Sequence, residues 1–240
     1  MARTTAFHDS RSERADWQAA KVDLRVFSAK RFINCWPGFE RSLPPDARRS
    51  ETEIAERVRR TIGEDDLRRH FESTDGRDLL RIPSRSRDGK SLWTCITLSA
   101  PGDESEDAAA ALFKGIEERR RHLGLECLRI CHPGILQIFF LYEESVPSAW
   151  ASRLGWWLLN GLPDASDRLV FPYDPSPVAS AAPCLVPLIG RLVDLDRWPA
   201  VLSDQAGILK GRRAIRQILA TKTNSPALIP PDVRSFCPFG

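Results

Sequence analysis

The sequence predicts a mixed α/β (α+β) chain organised around a split βαβ unit. Two observations carry this. From Leu92 onward, β-rich and helical stretches follow one another as strand, helix, strand, strand, helix, strand, which is the βαββαβ order of a ferredoxin-like unit. Ahead of it lies a long segment with helical periodicity, enough for a separate N-terminal lobe, in a chain of 240 residues that is 42% hydrophobic and shows no internal repeat.

Residues 1–15 are polar and charged and predict a frayed start. Ala20, Leu24, Phe27, Ala29 and Phe32 recur at helical spacing and predict one helix over Trp17–Ile33, stopped by Trp36-Pro37-Gly38. After a proline-containing loop, Ser50 with Glu53 forms a capping-box pattern. It predicts a helix with Ile54, Ala55, Val58 and Ile62 on one face. Glu64–Phe71 reads as a further short helix and Ser84–Lys90 as a charged loop. Residues 16–91 thus form a mostly helical lobe in this reading.

Residues 92–221 form the core. Strands are predicted at Leu92–Leu98, Leu125–Cys131, Ile135–Tyr142, Arg168–Phe171 and Cys184–Ile189. Helices are predicted at Glu106–Leu123, at Val146–Leu159, where Pro147 occupies the first turn, and from Ser203 or Asp204 to Ala220. Pro133-Gly134 marks a hairpin turn. The two core helices cover one sheet face and leave the other for a ligand or the N-terminal lobe. Residues 222–240 read as a proline-rich tail.

Net charge is +3 and the isoelectric point about 8.6, which permits a nucleic-acid partner without requiring one. The six cysteines are scattered and two lie in apolar runs, which predicts buried free thiols and a reducing, cytoplasmic setting. The first residues lack an apolar signal region, and no stretch reaches the ~20 apolar residues that span a bilayer.

Cys127, Cys131 and His132 lack the second ligand pair that zinc needs, and no metal is expected. The sequence holds no phosphate-binding glycine loop, dinucleotide fingerprint or nucleophile elbow, and no cofactor is expected. Asp103, Glu104, Glu106 and Asp107 follow the first core strand, where carboxylates could hold Mg²⁺, but acidic residues at a helix start also answer its dipole. Arg119, Arg120, Arg121, Arg129, Lys210, Arg212, Arg213 and Arg216 are the candidate contacts to nucleic-acid phosphates.

A string of segments resembles the archaeo-eukaryotic primase superfamily, in particular the primase-polymerase-like domain of TOTE conflict systems. Lys21 to Phe27 with Arg31-Phe32 is similar to the family's opening helix, and Glu64 to Phe71 to the helix before its first catalytic strand. Ile138 to Pro147 and Ala151 to Gly155 match the most specific stretch. Leu169 to Pro172 and Leu185 to Leu188 resemble the last core strands, and Leu192 to Leu209 the trailing segment. The resemblance runs from Ala20 to Ala220. It implies an RRM-like, primase-type core with an N-terminal α/β lobe.

It also implies where chemistry should sit. The family holds two divalent ions on an Asp-x-Asp at the end of the first core strand, and binds nucleotide phosphates with a Ser-x-Gly-x-Gly-x-His segment. Aligned on Trp93, the aspartate positions are Leu98 and Ala100; Gly134 is retained from the second segment, and Ile135 stands for the histidine. Asp174 matches the third acidic position as a possible remnant. Apolar side chains cannot supply the charge compensation on which nucleotidyl transfer depends. The expectation is a catalytically degenerate member without primase activity: a subunit of a DNA-replication, mobile-element or defence assembly. Its partners would be single-stranded or primed DNA, a helicase-type protein, or both. Two alternatives stand beside it. One is a pure protein-interaction scaffold using Trp156, Trp157, Trp198, Phe236 and Phe239. The other is an active nucleotidyltransferase with a non-standard site at Asp103, Asp107 and Asp174.

Overall fold

A computed structural model describes residues 10–43, 55–73, 78–99, 106–132, 135–162, 168–173, 183–190, 198–204 and 206–237. In chain order, helices α1 (Ser10–Ala19) and α2 (Lys21–Arg31) lead to strands β1 (Phe39–Ser42) and β2 (Ala55–Val58), helix α3 (Glu64–Glu72) and strand β3 (Leu80–Pro83). The core then runs β4 (Lys90–Ser99), α4 (Glu106–His122), β5 (Leu128–His132), β6 (Ile135–Pro147), α5 (Ser148–Leu159) and β7 (Arg168–Phe171). Strands β8 (Leu185–Pro187), β9 (Ala200–Ser203) and β10 (Gly207–Leu209) follow, then α6 (Gly211–Leu219), a 3₁₀ turn (Pro226–Leu228) and α7 (Pro231–Ser235).

The six-stranded sheet has the order β10-β9-β5-β6-β4-β7, and every pairing in it is antiparallel. Four neighbouring strands in it, β5-β6-β4-β7, reproduce the predicted split βαβ topology. Strands β1, β2, β3 and β8 form a second antiparallel sheet in the order β2-β1-β3-β8. The N-terminal lobe is therefore closed by a strand from far downstream.

Alternation along the central strands builds two cores, one on each sheet face. Trp93 and Cys95 of β4, Phe139 and Leu141 of β6, and Leu128 and Ile130 of β5 pack with Trp17, Leu24 and Phe32 of the N-terminal lobe and with Ile215 and Ile218 of α6. Ile96 and Leu98, with Ile138 and Phe140, face the other way, onto Leu112 and Ile116 of α4 and Leu154 and Leu158 of α5. The lobe takes the face left open in the sequence reading. Thr94 Oγ1 donates to the Ala151 carbonyl at 2.8 Å and lies 2.6 Å from the Tyr142 hydroxyl, fixing α5 on the sheet.

Four expectations are corrected. Residues 55–58 are strand, not helix, because pairing with β1 sets Glu56 opposite Arg41 and Arg57 opposite Glu40, and such charge-complementary cross-strand pairs override the local helical period; Ser50 and Glu53 lie outside the described residues. The helix expected from Ser203 begins at Gly211, after a β9–β10 hairpin, since Gly207 (φ +65°) and Gly211 (φ +50°) take left-handed backbone that breaks a helix. The Trp17–Ile33 helix is two helices meeting at Ala20. The cysteines are all free, but only Cys95 is buried; Cys127 and Cys131 are half-buried and Cys35, Cys184 and Cys237 exposed.

Candidate nucleic-acid interface

The end of β4 is where a primase would carry its metal carboxylates. Leu98 lies on the helix side of the sheet, only 6% exposed, as a packed core residue opposite Leu136. Ser99 pairs with Ile135, which also pairs with His132 and is 40% exposed. The fold thus brings the aligned first and second motif positions to one end of the sheet. Ala100, Asp103, Gly134 and Asp174 lie outside the described residues. Asp107 falls in the first turn of α4. Among the described residues, no cluster of three or more His, Cys, Asp or Glu stands close enough to hold a metal ion.

The basic candidates divide into two groups. Arg119 donates to the carbonyls of Trp157 (3.0 Å) and Leu158 (3.2 Å), capping the C-terminal end of α5. Arg120 and Arg129 are each only 6% exposed. Arg120 Nε donates to Glu117 Oε2 at 2.8 Å, and its Nη2 reaches Asp204 Oδ2 at 2.7 Å. Arg129 Nη1 lies 2.5 Å from Asp204 Oδ1 and 3.3 Å from Glu117 Oε1. Burial pushes the Asp204 carboxyl up, but the hydrogen bonds and charges of Arg129 and Arg120 outweigh it and hold the group below the usual carboxylate range. Arg119, Arg120 and Arg129 therefore serve the interior. Arg121, at the edge of this network, stays largely in solvent.

Helix α6 presents the other group. Its buried residues, Gly211, Ala214, Ile215 and Ile218, have the i, i+3, i+4, i+7 spacing of one apolar stripe. That spacing turns Arg212, Arg213 and Arg216 outward, with Lys210 exposed just ahead of the helix. Arg212 Nε lies 3.5 Å from Asp16. Lys210, Arg213 and Arg216 make no ion pair among the described residues. Asp16 Oδ2 accepts the Arg212 backbone N–H at 3.0 Å, and a Cβ at position 211 would sit 2.8 Å from that oxygen, so a larger residue at this left-handed position (φ +50°) would have to displace the Asp16 carboxylate where α6 meets α1.

Glu117 and Asp204 were absent from the predicted site. The i, i+3 spacing of Glu117 and Arg120 on α4 is a readable signal. Asp204 reaches them only through the fold. Trp198 stacks on Trp17 at 5.4 Å, while Trp156 and Trp157 pack half-buried against the helix-side core. Phe239 lies outside the described residues.

No protein-family model matches the chain, and no curated protein matches it. A solved structure does: the polymerase domain of ligase D from Mycobacterium tuberculosis in complex with DNA, at 11% identity and a TM-score of 0.50, over 87% of this chain and 88% of that one. The chain shares the fold of that polymerase domain. The two antiparallel sheets, with an N-terminal lobe seated on the open face of a split βαβ core, are compatible with the primase-type α+β core that the sequence resemblance implies. Among the described residues no helix is long and apolar enough to cross a membrane.

Proposed function

We propose that this chain is a non-catalytic primase-like subunit that binds nucleic acid, working in a DNA-replication, mobile-element or defence assembly beside a helicase-type partner. The observation that carries the binding reading is the outward face of α6, where Lys210, Arg213 and Arg216 project cationic groups that no described carboxylate neutralises. Uncompensated cations along one helix suit a phosphate backbone, whose affinity comes largely from counterion release. The structural neighbour was solved in complex with DNA, which supports the same reading. Leu98 and Ile135 at the aligned catalytic positions support the absence of nucleotidyl transfer.

Fluorescence anisotropy with single-stranded, duplex and primed DNA across a salt series tests binding. Affinity should fall as salt rises. Replacing Lys210, Arg213 and Arg216 together by Ala should weaken binding more than tenfold and reduce the slope against log salt by about 2 to 3. No binding at low salt, or an unchanged triple variant, would sink the nucleic-acid reading. Primer synthesis with Mg²⁺ or Mn²⁺ that is lost in Asp174→Ala would instead establish an active enzyme.

A protein-interaction role is favoured by one observation. Val22 and Val26, a single turn apart on α2, are 52% and 60% exposed. Co-purification of a stable complex free of nucleic acid, lost in Val22→Glu, would favour that reading.

A further inference from the structure

Strands β5 and β9 pair only at Ile130–Val201 and Cys131–Ala200 and then diverge. The fork between them is a polar cavity of about 240 Å³, lined by Arg120, Glu126, Cys127, Arg129, Asp204 and Gln217, among others. Two guanidinium groups on its wall belong to almost fully buried residues. One of them is incompletely used: Arg129 Nε is buried and has no hydrogen-bond partner among the described residues. An unpaired charged donor at that depth is unfavourable unless something accepts from it.

The carboxylates facing the two arginines are not equivalent. Glu117 is buried on a long helix and is a fixed counter-charge. Asp204 is 42% exposed and sits at the turn of a short hairpin. Without Asp204, the cluster of Arg120, Arg129 and Glu117 carries one uncompensated positive charge. A tetrahedral oxyanion presents more acceptor oxygens to two guanidinium forks than one carboxylate does.

We propose that this cavity binds a phosphoryl group, and that the Asp204 carboxylate holds the guanidinium seat when no ligand is bound. The site lies at the Cys127 end of β5, on the helix side of the sheet, away from the Leu98–Ile135 end. It does not depend on nucleic-acid binding by α6.

Calorimetry on the full chain at constant ionic strength tests it, with inorganic phosphate and a nucleoside monophosphate as separate titrants, for wild type and Asp204→Asn. Removing the resident carboxylate should tighten phosphate binding at least tenfold. A nucleotide that binds Asp204→Asn more tightly than phosphate does would assign the source as a nucleotide, and equal binding would assign free phosphate. Either supports the site. No gain in Asp204→Asn over wild type overturns it. Cys127 lines the cavity, so bound phosphate should also slow its labelling by a thiol reagent at least threefold in Asp204→Asn; an unchanged rate places the anion elsewhere and overturns the assignment.

Discussion

His70 and Ile189 are joined at 3.0 Å by the imidazole Nε2 and a main-chain carbonyl, 119 residues apart in the sequence. Leu80 N–H donates to Nδ1 at 3.1 Å, so the proton sits on Nε2 and the ring is held neutral between α3, β3 and the segment after β8. Burial drives its pKa down from 6.5 to about 4, against a smaller upward pull from the Ile189 carbonyl. Between these values the unfolded chain binds a proton that the native state refuses, so stability falls as pH drops. The loss should reach on the order of 3 kcal/mol by pH 4. Urea unfolding from pH 7 to pH 4 measures it, and in His70→Gln this part of the pH dependence should flatten.

Asn224 ties the C-terminal segment to the core. Its side chain donates to the carbonyls of Glu126 (2.9 Å) and Leu141 (3.0 Å) and accepts from Glu126 N–H (2.8 Å), while its backbone bridges β6. Asn224→Ala takes the side-chain partner from the Glu126 N–H and carbonyl, while the Leu141 carbonyl keeps the Asn224 backbone N–H, and should destabilise the protein by about 2 kcal/mol. Asn224→Asp should be worse, because it sets a carboxylate against two carbonyls. Midpoints of chemical denaturation rank the two variants.

Gly155 marks the closest approach of α5 to the sheet: a Cβ there would sit 2.4 Å from Val170 Cγ1 and 3.2 Å from Thr94 Cγ2. Gly155→Ala should lower stability by about 1–3 kcal/mol, despite the better helix propensity of alanine. Trimming the obstacle in Gly155→Ala/Val170→Ala should cost less than the sum of the single changes. A double-mutant cycle reads the coupling directly.

Losing one member of the Glu117–Arg120 pair should cost more than losing both. Arg120→Met leaves Glu117 with only Arg129 as a buried partner and should cost about 3–5 kcal/mol. Changing Glu117→Gln together with Arg120→Met should recover part of that loss, as thermal unfolding of the two variants would show.

The core elements were legible because their information is local. β4, α4, β6, α5 and β7 carry alternating or 3.6-residue patterns strong enough to name the topology, and Pro133-Gly134 marks the hairpin between β5 and β6. β2 was not legible, because Ala55 to Val58 become a strand only through the charges set opposite them on β1. Gly207 and Gly211 were the overlooked signals for the β9–β10 hairpin. At the candidate interface, runs of arginine in sequence gave no sign of which guanidiniums turn inward: Arg120 and Arg121 are neighbours with opposite fates. That depends on Asp204, which meets them only in the folded chain.

Strand β8 places a constraint on synthesis. Ile82 pairs with Val186, and Leu188 N–H donates to the Leu80 carbonyl at 2.9 Å. The N-terminal sheet must therefore wait for residues made about a hundred positions later, an interval of roughly 5–20 s on the ribosome. Until then the edge of β3 emerges unpaired while the downstream strands are still being translated. The two lobes cannot mature one after the other, and a nascent chain stalled before Leu185 would expose an open strand edge to chaperones or to neighbouring chains.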